Sequence, residues 1–232
     1  MRRWVSILDQ MERWLKEGCD FPWNEGEILR YLGHHGQEIP DHVKELMEDC
    51  RRELEQAAVA KSVWKEYSLK VEGHEIDMGC VKTKSQNLER NLKDCERILI
   101  FGATLGSQVD VLLQRYERLW MSRAVVLQAA AAAMVETYID WQNERLREEY
   151  QEKGWYMRPR FSPGYGDFPL ECQRGIFAGL ELNRRIGITL TDSLLMAPSK
   201  SVTAVMGLSR MPRVCSIQGC EACEKTDCAY RR

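Results

Sequence analysis

A short segment at residues 160–169, with the sequence RFSPGYGDFP, contains the residue types needed to bind a small anionic or zwitterionic ligand. Arg160 supplies a planar guanidinium that can donate two parallel hydrogen bonds to one carboxylate. Gly164 and Gly166 have no Cβ, so the backbone can lie close to a ligand, and Tyr165 adds an aromatic face. The prolines restrict the loop and lower the entropy lost on binding. The alternative is an ordinary surface turn.

A second group of residues with possible chemistry lies in the last eighteen residues, where four cysteines form a C-x4-C-x2-C-x4-C array: Cys215, Cys220, Cys223 and Cys228. Four thiolates at this density suit a tetrahedral zinc ion or an iron–sulfur cluster. Unligated thiols are the third interpretation. The spacing alone leaves the three open.

The loop pattern, Arg-x3-Gly-Tyr-x3-Pro, resembles the S-adenosylmethionine-binding signature of the activation (reactivation) domain of cobalamin-dependent methionine synthase. Further segments resemble that family in the same order along the chain: ATLG at 103–106 with VD at 109–110, ERLREEY at 144–150, ITLTDS at 188–193, and MAPSKSVT at 196–203. Together the similar segments cover roughly residues 85–210, which makes a chance match a poor explanation.

The resemblance implies a function in cobalamin chemistry. In that family, one electron from a flavodoxin-like donor and a methyl group from S-adenosylmethionine restore inactive cob(II)alamin to methylcobalamin. The chain contains no Asp-x-His-x-x-Gly corrin-binding motif, so we expect the cobalamin on a partner. That partner would be a cobalamin-dependent methionine synthase lacking its own activation domain, served by this chain as a free-standing module. The alternative is a non-catalytic, regulatory S-adenosylmethionine-binding protein for another corrinoid methyltransferase, with a structural metal tail.

The chemistry of S-adenosylmethionine suggests roles for individual residues. Arg160 is the expected partner of the ligand carboxylate. The ammonium and sulfonium call for nearby acids, for which the candidates are Asp110, Glu148, Glu149 and Glu152. Glu152 ranks first because it lies nearest to the loop in sequence, and a solvated helix face is the other interpretation of each. Tyr165 is expected either to contact the adenine or sulfonium or to anchor the loop by packing. Ser199 lies in a segment similar to the family's, although turn formation alone would explain it.

Composition sets limits on the class of protein. The chain has 232 residues, 44% of them hydrophobic and 29% charged, which is typical of a globular protein. The net charge of −2 gives no general attraction to nucleic acid or to an anionic membrane. No apolar run approaches the ~20 residues that span a bilayer. The nine cysteines are an odd number, which favours a reducing, cytoplasmic location over a disulfide framework.

Helix and strand patterns predict an α+β fold, with long helices packed on a mixed or antiparallel sheet. Residues 107–153 contain neither Gly nor Pro, so we expect helix there, divided in two near Trp120. A further helix is expected over 171–186, ending at Gly187, and strands over 188–190 and 201–208 are expected to be joined through 197–199. We divide the chain into an N-terminal amphipathic helix at 1–23, a ligand-binding domain at 24–212, and a cysteine-rich tail at 213–232.

Overall fold

The computed structural model describes residues 24–34 and 38–212, and it confirms the predicted α+β class. The N-terminal amphipathic helix and the cysteine-rich tail predicted from the sequence lie outside the described residues. Both therefore stay predictions.

The described helices and strands alternate irregularly along the chain. The helices are α1 (Glu25–Tyr31), α2 (Asp41–Ala57), α3 (Gln86–Asn91), α4 (Ser107–Leu119), α5 (Met121–Glu152), α6 (Gln173–Leu180) and α7 (Leu182–Ile186), with a 3-10 turn at Leu170–Cys172 before α6. The strands are β1 (Lys61–Ser68), β2 (Lys70–Glu72), β3 (Glu75–Asp77), β4 (Lys82–Lys84), β5 (Arg97–Thr104), β6 (Tyr156–Met157), β7 (Thr189–Leu190), β8 (Met196–Ala197) and β9 (Ser201–Ser209).

These strands form three sheets. The main sheet has the order β1-β5-β9-β6, with β6 antiparallel to β9 so that Tyr156 faces Ser209. A second sheet contains β2, β3 and β4 in antiparallel order, and β7 pairs with β8 as a separate antiparallel hairpin. Gly73 and His74 form the turn between β2 and β3.

The described residues divide into two compact units. The first unit comprises residues 24–34, 38–63, 103–142 and 182–202, and the second comprises 64–102, 143–181 and 203–212. Four boundaries fall inside β1, β5, α5 and β9, and the fifth falls between α6 and α7.

In the first unit, the predicted break between two long helices is confirmed at Trp120. This residue is extended, with φ −157° and ψ 94°, and it separates α4 from α5. The alanine run of α5 is almost fully buried, since Ala130 and Ala131 have no exposed surface. Small side chains permit close packing, and the Tyr138 hydroxyl of α5 donates to Ser62 Oγ of β1 at 3.2 Å. Within this chain α5 is thus a core helix, and none of the described helices is both long and apolar enough to cross a membrane.

In the second unit, α6 packs very closely on the turn at residues 79–81. A Cβ built on Gly179 would lie 2.6 Å from Cys80 Cβ, and one built on Gly175 would lie 2.7 Å from the Cys80 carbonyl oxygen. The Tyr67 hydroxyl donates to the Gly179 carbonyl at 2.8 Å. Only glycine fits at the two positions of this contact without a shift of the backbone.

Two sequence-based expectations are wrong. The single helix expected over 171–186 is divided at Glu181, whose left-handed φ of 54° ends α6 and lets α7 begin one residue later. The strand at 188–190 does not form a hairpin with the strand at 201–208. It pairs instead with β8, because the Thr191 amide donates to the Leu195 carbonyl and closes an earlier turn. Gly187 follows the end of α7 with φ 74°, as expected.

Candidate functional site

Arg160 lies in the second unit on a segment that β9 holds at two points. The Arg158 amide donates to the Gly207 carbonyl at 2.8 Å, and Phe161 exchanges two backbone hydrogen bonds with Val205 at 2.9 and 2.8 Å. Arg160 itself is half-buried, and its Nη1 atom is shielded from solvent. The structure therefore fixes the backbone on both sides of Arg160, and the half-buried side chain does not belong to a free surface turn.

The two loop glycines have the conformations that glycine allows and other residues rarely adopt. Gly164 has φ 92° and Gly166 has φ 55°. The Gly164 amide donates to the Phe168 carbonyl at 2.8 Å, and the Phe168 amide donates to the Tyr165 carbonyl at 3.0 Å. The loop is therefore a closed turn with an ordered backbone.

The exposure of the aromatic residues decides between the two interpretations of Tyr165. Its side chain is 69% exposed, whereas Phe168 is 1% exposed and lies 6.2 Å from Phe161, ring centre to ring centre. Phe168, and not Tyr165, anchors the loop by packing. The Tyr165 ring is accessible to a ligand.

Asp167 is a loop residue whose importance the sequence analysis missed. Its Oδ1 accepts from Ser85 Oγ at 2.5 Å and from the Asn87 amide at 3.1 Å, and its Oδ2 accepts from the Gln86 amide at 2.6 Å. Partial burial acts to raise the pKa of Asp167, but these hydrogen bonds outweigh it and lower the pKa. The partners are distant in sequence, so no local pattern could reveal the contact.

Glu152 is the last residue of α5 in the second unit, and it is solvent-exposed. Beyond it, Arg210 Nη1 donates to the Lys153 and Gly154 carbonyls at 3.0 and 3.1 Å, which fixes the chain after the helix end. The exposed position of Glu152 fits both interpretations, a ligand-facing acid and a solvated helix face.

Asp110 and Ser199 are brought together in the first unit. The two carboxylate oxygens of Asp110 accept from the Ser199 amide and from Ser199 Oγ, both at 2.7 Å. The adjoining Ala197–Pro198 peptide bond is cis, and Ser201 Oγ donates to the Pro198 carbonyl at 2.7 Å. Asp110 therefore fixes the turn between β8 and β9, in addition to any role toward a ligand.

Removal of the Ser199 hydroxyl should destabilise the chain modestly. Ser199→Ala loses one hydrogen bond to a charged acceptor but keeps the backbone hydrogen bond, so we expect a loss of about 1 kcal/mol in the free energy of unfolding. Urea denaturation measures this loss. Ser122→Ala, at an exposed position of α5, is the matched control and should be neutral. Equal stability of the two variants would show that the turn does not depend on this bond.

Lys200, next in the chain, predicts a pH effect on stability. Burial lowers the pKa of Lys200, although Asp110 opposes the shift. A lysine with a lowered folded pKa binds fewer protons when folded than when unfolded, so stability rises with pH through the folded pKa and levels off near about 10.4. Denaturation of Lys200→Met should lack this rise, while Lys44→Met, an exposed control in α2, should retain it. An identical pH profile for all three proteins would contradict the burial argument.

The predicted metal ligands cannot be placed, because Cys215, Cys220, Cys223 and Cys228 lie outside the described residues. Within residues 24–34 and 38–212, no group of three or more His, Cys, Asp or Glu side chains is arranged to hold a metal ion. The metal-binding tail therefore stays a prediction.

A cleft of about 440 Å³ lies beside α3 in the second unit. Its walls include His74 and Glu89, which contact each other at 2.5 Å, together with Arg90, Lys93, Asp94 and Cys95. The lining contains no residue of the 160–169 loop. The cleft is therefore separate from the ligand-binding residues that the sequence predicts.

Comparison with known proteins gives a family match and matches to solved structures. Residues 87–232 match the family model described as the activation domain of vitamin B12 dependent methionine synthase. The fold resembles a solved structure, the MetH reactivation domain bound to AdoHcy, with a TM-score of 0.58 and 17% sequence identity over 92% of this chain and 79% of that chain. No curated protein matches the chain significantly.

Proposed function

The chain belongs to the family of vitamin B12-dependent methionine synthase activation domains, and we propose that it binds S-adenosylmethionine and supports reactivation of a cobalamin-dependent methionine synthase. The family assignment made from the Arg160 loop and the flanking segments is thus confirmed. The observation that carries the ligand proposal is the backbone-fixed, half-buried Arg160 in a loop with an exposed aromatic ring.

The chemistry of the loop fits the amino-acid end of the ligand. Arg160 offers a planar donor fork at a half-buried position, where water competes less for the carboxylate than on an open surface. Gly164 and Gly166 permit the positive φ angles that give the loop its shape. The structural neighbour was solved with AdoHcy, the demethylated form of S-adenosylmethionine, which supports a ligand of this class.

In the proposed mechanism the chain binds and orients its ligand and performs no proton transfer. Arg160 holds the carboxylate, and the Tyr165 ring covers the adenine or the sulfonium. In the same unit, Glu152 is the proposed acid for the cationic groups of the ligand, while the predicted ligand role of Asp110, which lies in the first unit, stays a prediction. When bound, S-adenosylmethionine supplies the methyl group. These residues hold that methyl group in one orientation. A fixed orientation raises the rate of methyl transfer, because less entropy is lost on reaching the transition state.

The cobalamin and the electron come from partners in this proposal. The partner would be a cobalamin-dependent methionine synthase that lacks its own activation domain, with a flavodoxin-like protein as electron donor. Family membership supports a methionine synthase as the partner. A metal held by the four tail cysteines would be an additional element of the same proposal.

Reconstitution tests the proposal. A methionine synthase truncated before its activation domain is first allowed to oxidise to the cob(II)alamin form, and it is then incubated with a reductant, S-adenosylmethionine and this chain. We expect activity to return only when all components are present. Activity that returns at the same rate without this chain, or that never returns although the chain binds its ligand, would overturn the reactivation role. In the second case, a different corrinoid methyltransferase tested in the same assay would distinguish the regulatory alternative.

A further inference from the structure

We infer that Asp167 is a positioning residue that orders the ligand loop before S-adenosylmethionine binds. The inference rests on the proposed function of that loop. Asp167 joins the loop to the first turn of α3 through three hydrogen bonds, two of them from the Gln86 and Asn87 amides and one from Ser85 Oγ. Hydrogen bonds to a carboxylate are the stronger kind, so this is a firm attachment of the loop.

The Asp167 hydrogen bonds hold the most flexible part of the loop. Gly164 and Gly166 have more backbone freedom than any other residue type, so an unattached loop would lose much entropy when a ligand orders it. Phe161 fixes the start of the loop through its bridge to Val205, and the buried Phe168 fixes its end. Asp167 stands between Gly166 and Phe168 and fixes the glycine-containing part. The loop then loses its conformational entropy when the chain folds and not when the ligand binds.

Asp167 accepts from the first two amides of α3, but it is not the only cap of that helix. Helix α3 already has its own N-cap, because Ser85 Oγ accepts from the Leu88 amide at 3.0 Å. Asp167 is solvent-exposed and contributes little to the core. Its removal should therefore loosen the loop while α3 and the rest of the unit stay folded.

Gly166 allows the loop backbone to pack closely against α3. A Cβ built on Gly166 would lie 2.4 Å from Asn87 Nδ2, so the loop backbone lies directly on the side chain of the second residue of α3. The loop and the helix start therefore contact each other at two neighbouring positions. A ligand that binds Arg160 and Tyr165 meets a loop whose shape α3 has already set.

The test measures loop order and ligand affinity in the same set of full-length variants. Asp167→Ala removes the attachment, Asp167→Asn keeps one acceptor oxygen, and Glu89→Ala is the control, since it removes an acidic side chain of α3 that contacts His74. Hydrogen exchange of the Gly164 and Phe168 amides in the free protein reports loop order. Calorimetry with S-adenosylhomocysteine reports affinity, and urea denaturation verifies that each variant folds.

We expect Asp167→Ala to exchange these amides about tenfold faster and to bind about tenfold more weakly, with Asp167→Asn intermediate and Glu89→Ala like the wild type. If the wild type binds and Asp167→Ala binds equally well with unchanged exchange, the positioning role is wrong and the proposed function stands. If the wild type itself does not bind, the proposed function fails, and the ligand part of this inference fails with it. Should Asp167→Ala not fold, Asp167→Asn against the wild type decides in the same way.

Discussion

Replacing Arg160 with alanine should weaken binding of S-adenosylmethionine by about a hundredfold, because a carboxylate loses two charge-assisted hydrogen bonds at a partly desolvated position. The half-buried position matters for this magnitude, since a fully hydrated guanidinium would contribute much less. The backbone bonds at Arg158 and Phe161 do not depend on the Arg160 side chain, so the loop should keep its shape. Isothermal calorimetry of the folded variant measures the change.

Two further variants test whether the loss of affinity comes from the guanidinium of Arg160 and not from its charge alone. Arg160→Lys keeps the charge but loses the planar fork, and we expect an affinity between those of the wild type and the alanine variant. Arg174→Ala removes an exposed arginine of α6 in the same unit and should leave the affinity unchanged. If Arg160→Ala and Arg174→Ala behave alike, the carboxylate contact lies elsewhere.

The second large effect concerns the close contact of α6 with the turn at residues 79–81. Helix propensity alone predicts that Gly179→Ala stabilises the chain by about 1 kcal/mol. The added methyl group, however, would lie 2.6 Å from Cys80 Cβ, and this atom cannot move without its backbone. Overpacking of this kind costs about 3 kcal/mol, so we expect a net loss of about 2 kcal/mol in the free energy of unfolding.

Gly26 provides the matched control for this substitution. It lies in α1, where a new Cβ would meet only Asn24 Oδ1, at an ordinary 3.6 Å. Gly26→Ala should therefore leave stability unchanged or raise it by up to about 1 kcal/mol. The opposite signs of the two glycine substitutions, measured by urea denaturation, are the expected result. A stabilising effect at both positions would show that α6 packs less closely than the structure indicates.

Local patterns in the sequence correctly predicted the secondary structure that depends on neighbouring residues alone. The absence of Gly and Pro over residues 107–153 identified the two long helices, and Trp120 marked the break between them. Gly164 and Gly166 have positive φ angles, which few residues other than glycine adopt, but the sequence analysis had assigned them only to close approach of a ligand. The pairing of β7 was missed, since partner choice depends on the turn at Thr191–Leu195 and not on strand composition.

Long-range contacts account for what the sequence could not show at the site. The Asp167 carboxylate accepts hydrogen bonds from Ser85, Gln86 and Asn87, and the Asp110 carboxylate accepts from Ser199, across 80 to 89 residues of sequence. Residue types suggested acids near a cationic ligand, but they could not tell that both Asp110 oxygens hold a turn. They also could not decide whether Tyr165 or Phe168 was the buried aromatic residue, which only the packed structure determines.

The central claim is that Arg160 recognises the amino-acid carboxylate of S-adenosylmethionine. The most direct measurement is a calorimetric cycle that titrates the wild type and Arg160→Ala with S-adenosylmethionine and with its decarboxylated analogue, which keeps the adenosine, the sulfonium and the ammonium. We predict that the wild type prefers the complete ligand by about a hundredfold and that this preference disappears in Arg160→Ala. A preference of the same size in both proteins, or none in the wild type, would contradict the claim.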